Sequence, residues 1–226
     1  MPAVLIIGAS RGIGHELARQ YLADGWRVIA TARKPDDVAE LAGMGAETHT
    51  LDVTNVEAVA GLGWKLDGEQ LDVAILNAGV YGPRHDGFPV QNDFDMVMHT
   101  NVLAAMRLLP ILAPLVCAAG KRTGGKLAVL SSRMGSLAER GSAGGSLYRA
   151  SKAALNSVLI DTALTFGNKG CTCVALHPGW VRTEMGGGGA DIAVEESAAG
   201  IRHTLDTLPG STQAVFRNYD GTPIAW

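Results

Sequence analysis

A doubly wound parallel α/β sheet flanked by helices is the fold class this chain predicts, on three observations. Short apolar runs bounded by turn residues recur: AVLIIG, RVIATAR, DVAILNAG, KLAVLSS and CTCVALHPG. Each has the length and near-continuous hydrophobicity of a strand buried on both faces. Longer segments with helical spacing separate them, so strand and helix alternate, the order that builds a parallel sheet. The third observation is a glycine-rich string, GASRGIG at residues 8–14, which closes the first run and opens the first helical segment.

The elements follow in order. MPAVLII lacks a basic leader and its apolar run stops at Gly8, too short for a signal peptide or a membrane span, and is expected to be a first buried strand. Helical spacing then runs from Ile13 to Ala23, with Leu17, Ala18 and Leu22 in phase. After the second strand come a helix near Asp36 to Leu41 and a third strand within AETHTLDVT, whose alternation is imperfect. The apolar stretch around Val97 to Val116 predicts a long helix that kinks or divides at Pro110 and Pro114. Arg107 and the two prolines argue against its crossing a membrane. Further on, Gly186 to Gly189 form a flexible patch, either a mobile lid past a strand's carboxyl edge or a loose surface loop. A helix carrying Glu195 to Leu205, a last strand within QAVFRNYDGTPIAW and a turn at Asp220-Gly221 complete the chain.

With 226 residues, 47% hydrophobic and 18% charged, the chain predicts one soluble globular domain, 1–226, whose core needs no metal or disulfide. A formal net charge of -3 without any dense Lys/Arg run excludes nucleic acid as an expected partner. The three cysteines, Cys117, Cys171 and Cys173, are odd in number, and C-x-C lacks the second ligand pair of a zinc site. Buried free thiols in a cytoplasmic protein, and no metal, are the expectation.

GASRGIG supports two chemistries. Gly8-Ala9-Ser10-Arg11-Gly12 matches G-x-S-x-G, which in a hydrolase presents the serine as nucleophile. Such an elbow needs an oxyanion-supplying loop upstream, and only one strand precedes it here. In the other reading Gly8 makes a tight turn, Gly12 lets the backbone approach a pyrophosphate, and Gly14 lets helix and strand pack closely. Ser10 is then at most a phosphate or turn contact at a helix N-terminus. The second strand ends Thr31-Ala32-Arg33-Lys34, with no carboxylate before Asp36. An acidic residue there would bind the ribose 2′-hydroxyl of NAD, whereas a basic one suits the 2′-phosphate of NADP. Arg33, joined by Arg11 from the turn, therefore favours NADP (NADPH) over NAD; the plain alternative is that both are solvated surface charges.

Downstream, Tyr148 and Lys152 stand four residues apart in SLYRASKAALNSVLIDTAL, on one helix face. A tyrosine with its ordinary pKa of about 10 is a poor acid or base near neutrality. The lysine, together with an oxidised nicotinamide, is expected to lower it.

In this order the motifs resemble those of the short-chain dehydrogenase/reductase family, from about Val4 to about Met185. GASRGIG resembles its cofactor turn, NAG at Asn77 to Gly79 its fourth-strand motif, and HTNVLAA its helix asparagine. SSRMG is similar to its serine motif, YRASK to its Tyr and Lys, and HPGWVRTEM to its post-strand cofactor loop. The phrases between Ser131 and Thr183 most resemble the carbonyl-reductase-like branch that includes sniffer proteins. The resemblance implies a single-domain Rossmann fold with Tyr148 as proton donor or acceptor. It further implies that Lys152 lowers the tyrosine's pKa and holds the nicotinamide ribose, that Ser132 bonds the developing oxyanion, and that Asn101 shapes its helix and holds a water relaying protons through Lys152. Among the two serines, S-x-x-G selects Ser132, leaving Ser131 to hydrogen-bond within the strand end. Cofactor contacts are implied at Gly8, Ser10, Arg11, Gly12, Ile13, Gly14, Arg33, Asp52, Val53, Asn77, Ala78, Gly79, Tyr148, Lys152, Pro178, Gly179, Val181 and Thr183. Asp52 is either an adenine contact or a turn former, and His177 is a strand-end residue rather than a base.

These readings predict an NADP(H)-dependent oxidoreductase that interconverts a ketone or aldehyde with an alcohol. The alternative is a dinucleotide-binding sensor or signalling protein with little turnover. Small-molecule carbonyls or alcohols are the expected partners, with no nucleic acid and no membrane, in a homodimer or homotetramer built on the helices beginning near Asn101 and Tyr148. The 16 residues from Ser132 to Tyr148 exceed the family's commonest spacing, so AERGSAGGS is a loop insertion that borders the substrate pocket or bulges on the surface. A substrate loop at about 184–195 and Tyr81, Phe88, Met134, Leu137, Trp180 and Met185 are expected to give a partly apolar pocket.

Overall fold

The computed structural model describes residues 1–83 and 89–226; Phe88 lies outside them. Seven parallel strands form one sheet: β1 (Ala3–Ile7), β2 (Arg27–Ala32), β3 (Glu47–Thr50), β4 (Val73–Leu76), β5 (Lys126–Leu130), β6 (Thr172–His177) and β7 (Val215–Asn218). Their spatial order is β3-β2-β1-β4-β5-β6-β7. Chain direction across the sheet therefore reverses between β1 and β4, where Ile7 pairs with Thr31 on one side and Leu76 on the other. In such sheets a crevice opens at that switch point, beyond the strands' carboxyl ends.

The helices are α1 (Gly12–Ala23), α2 (Pro35–Gly43), α3 (Val56–Lys65), α4 (Gln91–Met98), α5 (Ala104–Thr123), α6 (Ser146–Phe166) and α7 (Val194–Thr207). Alternation along β1 shows how they cover the sheet. Leu5 and Ile7 join Val59, Leu62, Leu108, Leu112, Leu155 and Leu159 in a core beneath α3, α5 and α6. Val4 and Ile6 face the other way, into a core with Leu17, Tyr21, Leu41, Ile201 and Leu205 from α1, α2 and α7. With both faces covered, every residue of β1, β4 and β5 is buried. The edge strand β3 has none buried, which is why AETHTLDVT carries the weakest pattern.

The long apolar helix departs from expectation in one respect. α5 runs unbroken through Pro110 and Pro114, and the irregularity falls earlier, in a π-helical turn at His99–Leu103. A proline frees the carbonyl four residues before it. Here those carbonyls belong to Met106 and Pro110, which share an exposed stripe with Pro114, so water can serve them. The span Gln91–Gly120 is apolar and long enough to cross a membrane, but 56% of its most apolar window is buried inside the fold, as suits a core helix. Cys117, Cys171 and Cys173 are buried free thiols.

Candidate active site

At the switch point the glycine turn is held from both sides. Gly8 N–H donates to Thr31 Oγ1 (3.0 Å) and Asn77 Nδ2 donates to Gly8 O (2.5 Å), tying the turn to β2 and to the end of β4. Side chains have no room here. A Cβ on Gly14 would lie 2.3 Å from Gly8 O, and one on Gly8 would meet the Ala78 backbone at 3.0 Å. Gly12, with φ +56, lies against Thr183 across the crevice. Arg11 precedes α1 in extended conformation, its side chain makes no capping bond, and the first turn of the helix carries no acidic residue. Ser10 and Ile13 flank these glycines, half-buried.

Next to the turn, the four expected catalytic residues converge, all buried. Asn101 sits in the π-helical turn, a backbone irregularity that recurs at functional sites. Its Oδ1 accepts from Val80 N–H (2.8 Å), and its Nδ2 donates to Val80 O (2.8 Å) and Ser151 Oγ (2.9 Å). Lys152 Nζ donates to Leu130 O (2.7 Å) and lies 5.6 Å from the Tyr148 ring centroid. A Cβ on Gly79 would lie 3.2 Å from Lys152 Nζ and 3.3 Å from Asn101 Oδ1, so a small residue here keeps both polar groups open to the crevice. Ser132 Oγ accepts from Met134 N–H (3.1 Å), and Ser132 is close enough to the Tyr148 phenol to lower its pKa.

Burial pushes the Tyr148 pKa up to about 12, with the Ser132 bond opposing and Tyr81 adding to the rise. Lys152 itself is lowered to about 8 by burial. Desolvation of the phenolate dominates at Tyr148, while the Lys152 ammonium spends its hydrogen bond on the Leu130 carbonyl. Ser131 hydrogen-bonds at the strand end through its N–H to Leu176 O, and its hydroxyl donates to Asn156 Oδ1 on α6 at 2.6 Å. Burial drives His177 down to about 4.

The rim is more ordered than the glycines of residues 186–189 suggest. Val181 bridges Ile192, Gly186 N–H donates to Thr183 Oγ1 (3.1 Å), and Trp180 Nε1 donates to Gly186 O (2.9 Å). A Cβ on Gly186 would lie 2.0 Å from Val181 O. At least this glycine serves close packing and not looseness, and the segment is a closed loop tied to its own stem. Pro178 O accepts from Ser197 Oγ (2.7 Å), and Gly179, with φ +86, leaves no space for a side chain beside Ile192. Val181 is buried.

The insertion between Ser132 and Tyr148 is likewise pinned. Arg149 Nε donates to Gly144 O (2.7 Å) and its Nη2 to Ser142 Oγ (2.7 Å), while Ala138 N–H donates to Trp226 O (2.9 Å). Its end, Gly145, abuts Tyr81 and Met134, and Leu137, Trp180 and Met185 stand exposed on rim segments.

Of the remaining sequence-predicted residues, Arg33 is exposed past β2. Asp52 accepts from Thr54 N–H (2.9 Å) and Oγ1 (2.7 Å), a local turn, with Val53 buried beside it. Three residues carry the site without a place in the sequence reading: Thr31 and Ser151 anchor the turn and Asn101, and Glu184 forms an ion pair with Arg11; Tyr81, expected only as pocket lining, stacks on Tyr148. Each acts through a partner dozens of residues away or more, and only for Thr31, in a strand otherwise apolar at its end, is there a sequence signal.

Fold and switch-point turn together define a Rossmann-class α/β protein. A short chain dehydrogenase family model matches residues 2–191, and the chain belongs to that family of oxidoreductases. It is 33% identical over 236 residues to 1-hydroxy-2-glutathionyl-2-methyl-3-butene dehydrogenase of Rhodococcus sp. (strain AD45), with 100% of both chains covered. Among solved structures, an NADP-bound short-chain dehydrogenase/reductase from Burkholderia multivorans is similar with TM-score 0.90 and 34% identity, covering 100% of this chain and 99% of the other. The carbonyl reductase Sniffer of D. melanogaster gives TM-score 0.89 at 28% identity, with 100% of both chains covered.

Proposed function

We propose that the protein is an NADPH-dependent oxidoreductase that interconverts a ketone or aldehyde with an alcohol, with Tyr148 as the proton-transferring residue. The observation that carries this is the cluster of Tyr148, Ser132, Lys152 and Asn101 beside the N-terminus of α1 at the switch point. The relatives add support, one a dehydrogenase, one NADP-bound and one a carbonyl reductase.

The residues fit a phosphorylated dinucleotide. The glycine turn excludes side chains where a pyrophosphate would approach, the Arg11 side chain makes no capping bond to α1, and Arg11 and Arg33 suit a 2′-phosphate. Asn77, Ala78 and Gly79 would lie along the adenosine side, Asp52 and Val53 near the base, and Pro178, Gly179, Val181 and Thr183 around the nicotinamide amide. Bound NADPH supplies the hydride. Tyr148, kept neutral at physiological pH by burial, donates its proton to the substrate oxygen, and Ser132 Oγ is near enough to bond the same oxygen. Lys152 presents its ammonium to the ribose hydroxyls, and Asn101 holds the Val80 backbone and α6 in register. The segment about 184–195 would cover the substrate, and α5 and α6, with Met106 and Leu164 exposed, would pair in a cytoplasmic homodimer or homotetramer.

The test is NADPH oxidation across a panel of carbonyl compounds. Turnover is expected, and Tyr148→Phe should reduce kcat by about 10²- to 10⁴-fold with NADPH still bound. Tight NADPH binding without turnover on a broad panel would instead establish the sensor reading.

A further inference from the structure

Tyr81 is not one of the four residues assigned chemistry above, yet its ring packs directly on that of Tyr148. Its position is imposed from both sides in sequence. Val80, before it, is bolted through both backbone polar groups to the Asn101 amide at 2.8 Å each. Gly82, after it, has φ +81 and so little room that a Cβ would lie 2.5 Å from Val97 Cγ2. Between these anchors the Tyr81 ring lies over the Tyr148 ring, with centroids 4.6 Å apart and planes tilted by 30°. Its hydroxyl end abuts Gly145, where a Cβ would come within 2.8 Å of Tyr81 Oη and 2.9 Å of Met134 Cε. Tyr148 is buried, whereas Tyr81 remains half-exposed. The outer aromatic surface beside the phenol is therefore Tyr81's.

A carbonyl that takes a proton from Tyr148 must place its oxygen at that phenol. Whichever substituent then lies along the tyrosine ring falls beside Tyr81. Flat π-systems gain from offset stacking on such a surface, and a carbonyl conjugated to a ring is coplanar with it. A saturated, puckered ring of the same carbon count meets the surface at fewer points.

We infer that Tyr81 is a specificity-determining residue that makes the site prefer carbonyl compounds bearing an aryl or otherwise planar conjugated substituent over their saturated counterparts. This rests on the proposed reaction for placing the carbonyl oxygen at Tyr148, but its test reads binding and needs no turnover. The matched probes are acetophenone and cyclohexyl methyl ketone, titrated calorimetrically into the NADP-loaded protein. Wild type should bind acetophenone about tenfold more tightly. Tyr81→Phe, which keeps the ring and is the variant least prone to misfold, should retain that preference. Tyr81→Leu should bring the two affinities within about twofold, and in turnover should change the ratio of kcat/KM chiefly through KM. Persistence of the preference in Tyr81→Leu, its loss in Tyr81→Phe, or no preference in wild type would each overturn the inference. Tyr148→Phe separates the two proposals. A binding preference that survives in a protein unable to reduce either ketone, wild type included, would sink the reaction and leave Tyr81's role standing.

Discussion

The two sides of the carboxyl edge are built on opposite terms. On the β1 side, the turn at residues 8–14 leaves no room for a side chain at Gly8 or Gly14, and two polar side chains tie its backbone in place. The contacts a side chain would violate are with Gly8 O, the Ala78 backbone and Thr183, and the anchors are two short bonds from Thr31 and Asn77. Beyond β4, β5 and β6, the rim is side chain against side chain or against a loop: Tyr81 on Tyr148, Arg149 on residues 142–144, Trp180 on Gly186. At Gly8 and Gly14 the nearest atoms include backbone, which cannot give way to an added side chain. A rim made of side chains can be resized one residue at a time while the turn stays as it is.

The most damaging way to break that contrast is Gly14→Ala. A single methyl there would press on Gly8 O at 2.3 Å and on Asn77 Nδ2 at 2.5 Å, neither of which can withdraw without releasing the turn. Overpacking of this kind costs on the order of 1–3 kcal/mol. NADPH affinity should fall by more than about tenfold, with the thermal midpoint also lowered. Leu137→Ala, on the exposed rim, should alter KM for the carbonyl and leave NADPH affinity in place. Equal effects of the two on cofactor binding would refute the division.

The pair of arginines acts on the cofactor alone and leaves the packing of the turn untouched. Charge-assisted bonds to a phosphate contribute about 1.5–3 kcal/mol each. Replacing Arg11 and Arg33 together by neutral residues should weaken NADPH by roughly 100-fold and NADH by only a few-fold, measured as dissociation constants. An equal loss for both cofactors would remove the assignment of these residues to the 2′-phosphate.

How much of this was legible follows the same division. The β1 turn reads directly because each of its demands falls on a residue type at a fixed spacing, and only glycine meets them. The strands read because a sheet covered on both faces leaves nearly continuous apolar runs, except at β3, whose edge position explains its mixed pattern. What could not be read depends on pairs far apart in sequence: Ser131 with Asn156, Arg11 with Glu184, Tyr81 with Tyr148. The direction of the Tyr148 shift belongs here too. Its four-residue spacing from Lys152 is visible in the sequence, but the burial that pushes the phenol up and the lysine down is a property of the packed site.

That inversion has a pH signature. Lys152, lowered to about 8, is charged below that pH and loses its ammonium as pH rises through it. Burial pushes the Tyr148 pKa well above that of Lys152, so the alkaline limb is expected from the lysine. In the reductive direction kcat/KM, which reports the free enzyme, should therefore fall above about pH 8. In Lys152→Arg, whose guanidinium stays charged, the limb should move at least about two pH units higher whatever the absolute rate. A limb at the same pH in both proteins would assign it to another group.

The smallest expected effect comes from an ion pair that joins the two sides. Arg11 belongs to the turn and Glu184 to the rim loop, and their side chains are 70% and 73% exposed. Phosphate and carboxylate compete for the same guanidinium, and Glu184 adds a negative charge where phosphates must enter. Removing that charge should favour the cofactor, so Glu184→Gln should bind NADPH more tightly. Exposed pairs are weak, which bounds the gain at no more than about fivefold. Salt screens both the pair and the repulsion, so the advantage of the variant should shrink between low and high ionic strength. NADPH bound more weakly by Glu184→Gln would mean that the carboxylate holds Arg11 in its binding position. The rim would then support the turn instead of competing with it.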